Sequence, residues 1–396
     1  MPCTIPLDVP EGLLARTLAL TALRLALPEA VVRVEGSEVW VSAECASVAR
    51  GLATLWEERV AGVCGKGECI DRLRFASELA TVLRVSRVSG IDADFVEKLF
   101  AGRARGSRIE CVAAPQSITL MRAEFREYVR VPGGGGGLAR DAVKPCDLAQ
   151  VLAVIGYCVT LAYVDRQGAH LLIPPFREAP LGNPSLAYTY YKTLKNLYSV
   201  WARVSNRVSP APLRLLLTAY AALAEPRLAW RPEPVVAVFK FKARGVDLAK
   251  AEHLPFTGLE LLSRLVEEEG AAWAAEALVE GVAALTAAAR RGGEAATLGE
   301  VADEYSRHIL LFLEARDPDY ALAAVRSLKP LLSPTGSLSA ARVAVRGDGA
   351  TLEEFVEELA CGGDRGSSTT ARVPRVAERL AAVARRLMSL AVEAGR

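Results

Sequence analysis

Beyond residue 257 the chain repeats apolar residues at intervals of three and four through one segment after another: TGLELLSRLVEEEG, AAWAAEALVEGVAALTAAARR, TLGEVADEYSRHILLFLEAR, PDYALAAVRSLKPLL, TLEEFVEELA and PRVAERLAAVARRLMSLAVEA. That spacing gathers the apolar side chains on one face of a helix, and it predicts an α-helical bundle over 257–396. A Gly/Ser-rich interruption, CGGDRGSSTTARVP, sets the last helix apart from the rest.

The first 256 residues read differently. EGLLARTLALTALRLAL has helical spacing, and VVRVEGSEVWVS alternates on both sides of Glu-Gly-Ser as a β-hairpin does. Three helical stretches follow, ECASVARGLATLWEERV, DRLRFASELATVLRVSRV and DADFVEKLF, the last opening on an Asp cap. RIECVAAP then reads as a strand. The run PGGGGGLAR is expected to be a loop or linker, because ordering five consecutive glycines costs more backbone entropy than any other run would. After it, YCVTLAYVDRQGAHLLIPPF and VVAVFKFKARGVDLAKAEHLPF each read as strand, turn, strand, with two helices between them. The expected class is α+β, in three regions: 1–132 (α+β), 133–256 (α+β with two hairpins and a basic helix) and 257–396 (α-helical).

A chain of 396 residues with 51% hydrophobic content can bury a large core. Its longest apolar runs are cut by Glu or Gly short of the roughly 20 residues a membrane span needs, and no leader pattern opens it, so the expectation is a cytoplasmic protein with no membrane contact. The eight cysteines are scattered, which suggests a reducing compartment. Only 9 of the 48 cationic residues are Lys, a bias that fits a GC-rich genome or a thermophile.

Catalytic motifs are few. The three His form no His-x-x-x-His spacing, GKGEC does not complete a P-loop, and no G-x-S-x-G is present. Cys64 and Cys69 of CGKGEC are the best metal candidates, with Cys45 and Cys111 able in principle to complete four sulfurs; two thiols in a loop or a disulfide are the simpler readings. No metal and no cofactor is expected, and the chain is read as a non-enzyme.

The charge pattern is more informative. Residues 185–250 carry 11 cations against 3 acids, 251–300 carry 3 against 9, and 371–396 turn basic again with 6 Arg against 2 Glu. In PSLAYTYYKTLKNLYSVWARVSNRVSP, Tyr190, Leu194, Leu197, Trp201 and Val204 form a core stripe, while Tyr188, Lys192, Lys195, Ser199 and Arg203 lie on the opposite side without an acid. An unmixed cation face suits a phosphate backbone; a solvated face and an acidic protein partner are the other readings. In VFKFKARG, Lys240 and Lys242 alternate with Phe239 and Phe241 and lead to Arg244, which suits backbone tracking or, equally, an edge strand protected by Lys. Arg103, Arg105 and Arg108 in AGRARGSRIE form a flexible basic loop able to fork onto guanine edges, or a plain surface turn.

With VVAVFKFKARG ahead of the helical region, and ADEYSRHILLFLEARDPDYALAAVRSLKPLL broken at Arg-Asp-Pro-Asp-Tyr, the layout resembles the large subunit of the archaeal subtype I-A CRISPR interference complex (Cascade). The resemblance covers the general arrangement of most of the chain. It implies a non-catalytic subunit for antiviral defence that helps recognise the protospacer-adjacent motif of a double-stranded DNA target, contacts guide RNA or displaced DNA, and assembles with other protein subunits. The alternative is a helical protein-interaction scaffold that does not touch nucleic acid.

Overall fold

The computed structural model describes residues 1–9, 14–57, 75–84, 92–116, 118, 145–165, 168–174, 184–224, 233–242, 245–268, 270–333, 337–362 and 366–394. The fold is α+β and separates into two units, each assembled from two stretches of chain: Met1–Tyr188 with Pro232–His253, and Thr189–Arg231 with Leu254–Arg396. Cys64, Cys69, Arg244 and the glycine run lie outside the described residues.

The first unit opens on β1 (Cys3–Pro6), a strand too short for its alternation to be read in the sequence. Next come α1 (Leu14–Ala26) and the expected hairpin, β2 (Val32–Glu35) and β3 (Glu38–Val41). Glu35 faces Glu38 across a two-residue turn in which Gly36 takes φ +60°, a conformation open to glycine at no steric cost. The three expected helices are α2 (Cys45–Leu55), α3 (Phe75–Leu83) and α4 (Ala93–Ala101). Asp92 caps the last, its Oδ1 accepting from the Phe95 N–H at 2.8 Å. The short hairpin β4 (Ala104–Arg105) and β5 (Arg108–Ile109) joins β1 in parallel, completing a sheet of order β2-β3-β1-β5-β4.

The sequence reading misplaces the next element. Tyr157–Thr160, expected to begin a strand, belong to α5 (Asp147–Thr160), a helix buried along its whole length. Such a helix is apolar all round and shows no stripe. A β-carbon on Gly156 would overlap the Leu18 carbonyl of α1, so these two helices cross with their backbones in contact. The α1 and α5 side chains share one core with Val39, Leu171 and Phe239 of the two sheets. The expected division between 132 and 133 is therefore corrected: both sides of it bury their apolar residues together.

The strands β6 (Leu161–Val164), β7 (Ala169–Ile173), β8 (Val235–Lys242) and β9 (Gly245–His253) form an antiparallel sheet in that order. β8 is an inner strand over Val235–Phe239, where β7 flanks it on one side and β9 on the other, and its pairing with β9 continues to Lys242.

The second unit takes most of α6 (Pro184–Ala202), all of α7 (Ala211–Ala224), and then α8 (Leu259–Glu267), α9 (Ala272–Ala288), α10 (Ala296–Ala315), α11 (Pro318–Ser327), α12 (Lys329–Leu332), α13 (Leu352–Cys361) and α14 (Val373–Ala394). The helical region expected from 257 onward is present, and it also claims 189–231, because α7 packs on α8, α9 and α10. The Arg-Asp-Pro-Asp-Tyr break works as local chemistry dictates: Arg316 turns left-handed at φ +59°, and Asp317 caps α11 ahead of Pro318. Two strands were not anticipated, β10 (Arg342–Arg346) and β11 (Ser368–Arg372), which pair antiparallel over five residues. The stretch Ala272–Arg291 is long and apolar enough to cross a membrane, and 78% of its span is buried inside the fold.

Cysteine pairing also departs from expectation. Cys3 bonds Cys45 and Cys111 bonds Cys146, with Cα atoms 5.0 and 5.7 Å apart, inside the range a disulfide spans. Cys158 and Cys361 are disulfide-bonded as well, and no described cysteine is free. A four-sulfur metal site using Cys45 and Cys111 is thereby corrected, since both sulfurs are already bonded to others. Scattered spacing was a poor guide to redox state because the partners lie 42 and 35 residues apart in sequence.

Candidate nucleic-acid interface

In the first unit, the basic loop is closed by acids from elsewhere in the chain. Arg103 reaches Asp147 with both ends of its fork, Nη1 to Oδ1 at 2.6 Å and Nη2 to Oδ2 at 2.5 Å. Asp147 is buried at the start of α5 and also accepts from the Leu148 N–H at 2.8 Å. Arg108 pairs with Glu38 of β3 at 2.5 Å, and Arg105 lies 3.8 Å from Glu110 while donating to the carbonyls of Gly102 and Ala104. The expectation of a free basic loop is corrected: Glu38 and Asp147 are brought to it by the sheet and by α5. Lys240 is exposed, one residue past the buried Phe239, as the alternation predicts, and Lys242 stands opposite Gly245 at the end of the hairpin.

Along α6 the core stripe is where the periodicity puts it, with Tyr190, Leu194, Leu197 and Val204 buried and Trp201 half-buried. Tyr190 stacks on Tyr220 of α7, ring centroids 5.8 Å apart. The opposite side is not open. Lys192 is paired with Glu357 of α13 at 2.5 Å, Ser199 is buried, and Lys195 is half-buried with its Nζ 5.4 Å from the centre of the Tyr191 ring. Burial holds the Tyr191 phenol well above its ordinary pKa, so that ring stays neutral. The unmixed cation face is thus corrected: its acid comes from α13, 165 residues along the chain.

The cation at the end of that face leads to a different arrangement. Val204 and Val208 pack with Ala289, which follows α9, and Gly299 of α10 presses on both Val208 and Ala289. This packing brings Arg203 and Arg207, each one residue before a buried valine, to the same end of the unit as Arg290 and Arg291. The Nη1 atoms of Arg203 and Arg290 both lie within 4 Å of the point where a β-carbon on Gly362 would stand, and Nη1 of Arg207 lies 3.4 Å from the corresponding point on Gly292. Both glycines have left-handed φ, +63° and +69°, and Gly362 closes the C-terminus of α13. Carbonyls at a helix C-terminus favour cations. Arg207, Arg290 and Arg291 are exposed and form no ion pair among the described residues.

Of the residues singled out from sequence, then, Arg103, Arg105, Arg108, Lys240 and Lys242 lie in the first unit and Lys192, Lys195 and Arg203 in the second. Among the described ones, Arg203 lies beside a cation from a distant segment, Arg290. Arg207, Arg290 and Arg291 were missed; the two halves of the cluster lie more than 80 residues apart, and the only local signal is a charge next to a buried valine or alanine. No protein-family model, no curated protein and no solved structure matches this chain.

Proposed function

We propose that this protein is a nucleic-acid-binding subunit, the large subunit of a CRISPR surveillance complex, that contributes to protospacer-adjacent motif recognition and holds DNA or guide RNA within a multi-subunit assembly. The observation that supports nucleic-acid contact is the convergence of Arg203, Arg207 and Arg290 from distant segments, with Arg207 and Arg290 exposed and carrying no carboxylate among the described residues. Guanidinium groups held this way are suited to phosphate, which they grip with paired donors. The assignment to Cascade rests on the layout that the chain resembles, in which protein groups read a short duplex signal and base pairing reads the target.

The test is binding of the purified chain to a labelled duplex, a single strand and a structured RNA from about 50 to 200 mM salt. Each lost phosphate contact lowers the slope of log K against log salt by roughly 0.7 to 0.9, so Arg207→Ala with Arg290→Ala is expected to flatten it by roughly 1.5 while the fold is kept. An unchanged slope in that variant sinks the role of this cluster.

A second reading, a helical scaffold for other proteins, is favoured by the internal pairing of Arg103, Arg108 and Lys192, whose charges are already matched. It predicts a stoichiometric protein complex that survives nuclease treatment.

A further inference from the structure

The ribbon β10–β11 has two unlike ends. Its register sets Arg342 opposite Arg372, Ala344 opposite Thr370 and Arg346 opposite Ser368, so these six residues share one face, with Val343 and Val345 on the other. At the Arg346 end every charge is answered. Arg346 Nη2 donates to Glu276 at 2.7 Å, its N–H donates to Glu280 at 3.1 Å, and Arg379 of α14 meets the same buried Glu280 at 3.1 Å. Ser367 and Ser368 donate to Glu358.

At the other end nothing answers. Arg342 and Arg372 are directly opposed and exposed, and Arg375, three residues further on in the first turn of α14, is exposed too, in a turn without acids. None of the three has a carboxylate partner among the described residues; Arg342 donates only to the Thr370 hydroxyl at 3.5 Å. Like charges facing each other across a strand pair destabilise it. Nor can the backbone relax by splaying, because Val343 and Val373 are buried and the Val373 N–H is bonded to the Ala341 carbonyl at 3.0 Å.

We propose that Arg342, Arg372 and Arg375 form a phosphate-contact site for the backbone of a nucleic-acid strand. A fixed pair of forks is suited to a ligand that brings several negative charges, and Thr370, exposed on the same face as the pair, supplies a hydroxyl of the kind that positions a phosphate backbone. The site carries no base-reading geometry, so its contribution is to affinity and not to sequence choice. This inference rests on the reading that the chain binds nucleic acid, and it is separable from the Arg203, Arg207 and Arg290 cluster.

The experiment is fluorescence anisotropy of the full chain with the same labelled duplex, single strand and RNA across about 50 to 200 mM salt, comparing the natural sequence, R342A/R372A and R346A. R342A/R372A is expected to flatten the salt slope by roughly 1.5 and to leave the melting temperature unchanged or raised, because a like-charge pair is removed. R346A is expected to lower the melting temperature, because Glu276 loses its partner, and to keep the slope. A slope unchanged in R342A/R372A, or lowered equally in R346A, overturns the ribbon site alone. No salt-dependent binding by the natural sequence overturns the nucleic-acid reading and this site together.

Discussion

The dense arginine loop of the first unit and the scattered exposed arginines of the second meet opposite fates. In the first, Arg103 and Arg108 are held by Asp147 and Glu38, acids 44 and 70 residues away. In the second, Arg207, Arg290, Arg342, Arg372 and Arg375 are exposed and meet no carboxylate among the described residues. A cluster dense in the sequence is neutralised within the fold, while cations spread through the chain stand exposed with no carboxylate among the described residues. Local charge density is therefore a weak guide to a binding surface when the neutralising acids are nonlocal.

The sharpest way to break this contrast is Arg103→Ala, which leaves Asp147 buried without its cation. Removing one partner of a buried pair costs about 3 kcal/mol or more, so a clear loss in denaturant midpoint is expected. A loss under about 0.5 kcal/mol would place Arg103 with the surface charges and undo the distinction.

Glu358 supplies the next test, in the second unit. Burial alone would raise its pKa, but hydrogen bonds from Ser367 and Ser368, by side chain and by backbone, hold the carboxyl below its ordinary 4.5. A lowered folded pKa means the unfolded chain binds the proton more tightly, so this stability is complete above about 4.5 and is lost as pH falls through the folded value. Glu358→Gln is expected to cost about 1.5 kcal/mol at neutral pH and to flatten the acid limb of the melting curve. In the first unit His170 is the counterpart: burial lowers its pKa from 6.5 against the pull of Asp165, 3.4 Å away. Its stability is complete above 6.5 and declines as pH falls below it, so His170→Gln should remove that part of the pH dependence.

Lys192→Met tests the half-buried pair with Glu357 and is expected to cost about 1 kcal/mol while leaving any nucleic-acid binding intact. Loss of binding without loss of stability would restore the phosphate role that the sequence suggests for this residue. The smallest effect belongs to Arg105→Ala, an exposed side chain 3.8 Å from Glu110, where calorimetry should find a change within about 0.5 kcal/mol.

Much of the framework was legible because it rests on local chemistry. The β2–β3 hairpin follows from alternation around Glu-Gly-Ser, the Asp92 and Asp317 caps from side chains that accept from the next turn, and the helices beyond 257 from their apolar period. Three features escaped. Strand β1 is too short to alternate visibly, α5 is apolar on every side, and β10–β11 pair a five-residue segment with the end of the Gly/Ser-rich gap, more than 20 residues on. Of the candidate site only Arg203 was found: Arg290 and Arg291 come from the turn after α9, far along the chain, and Arg207 lies past the end of α6.

The sequence by itself determined the fold class, the elements with a regular period, and the presence of an excess of cations in 185–250 and 371–396. Only the tertiary structure decided that 189–231 leaves its neighbours for the helical unit, which cysteines bond, and which cations are paired with an acid. The physical reason is range: periodicity and capping act within a few residues, whereas a salt bridge, a disulfide or a shared core joins groups that the chain alone does not place together.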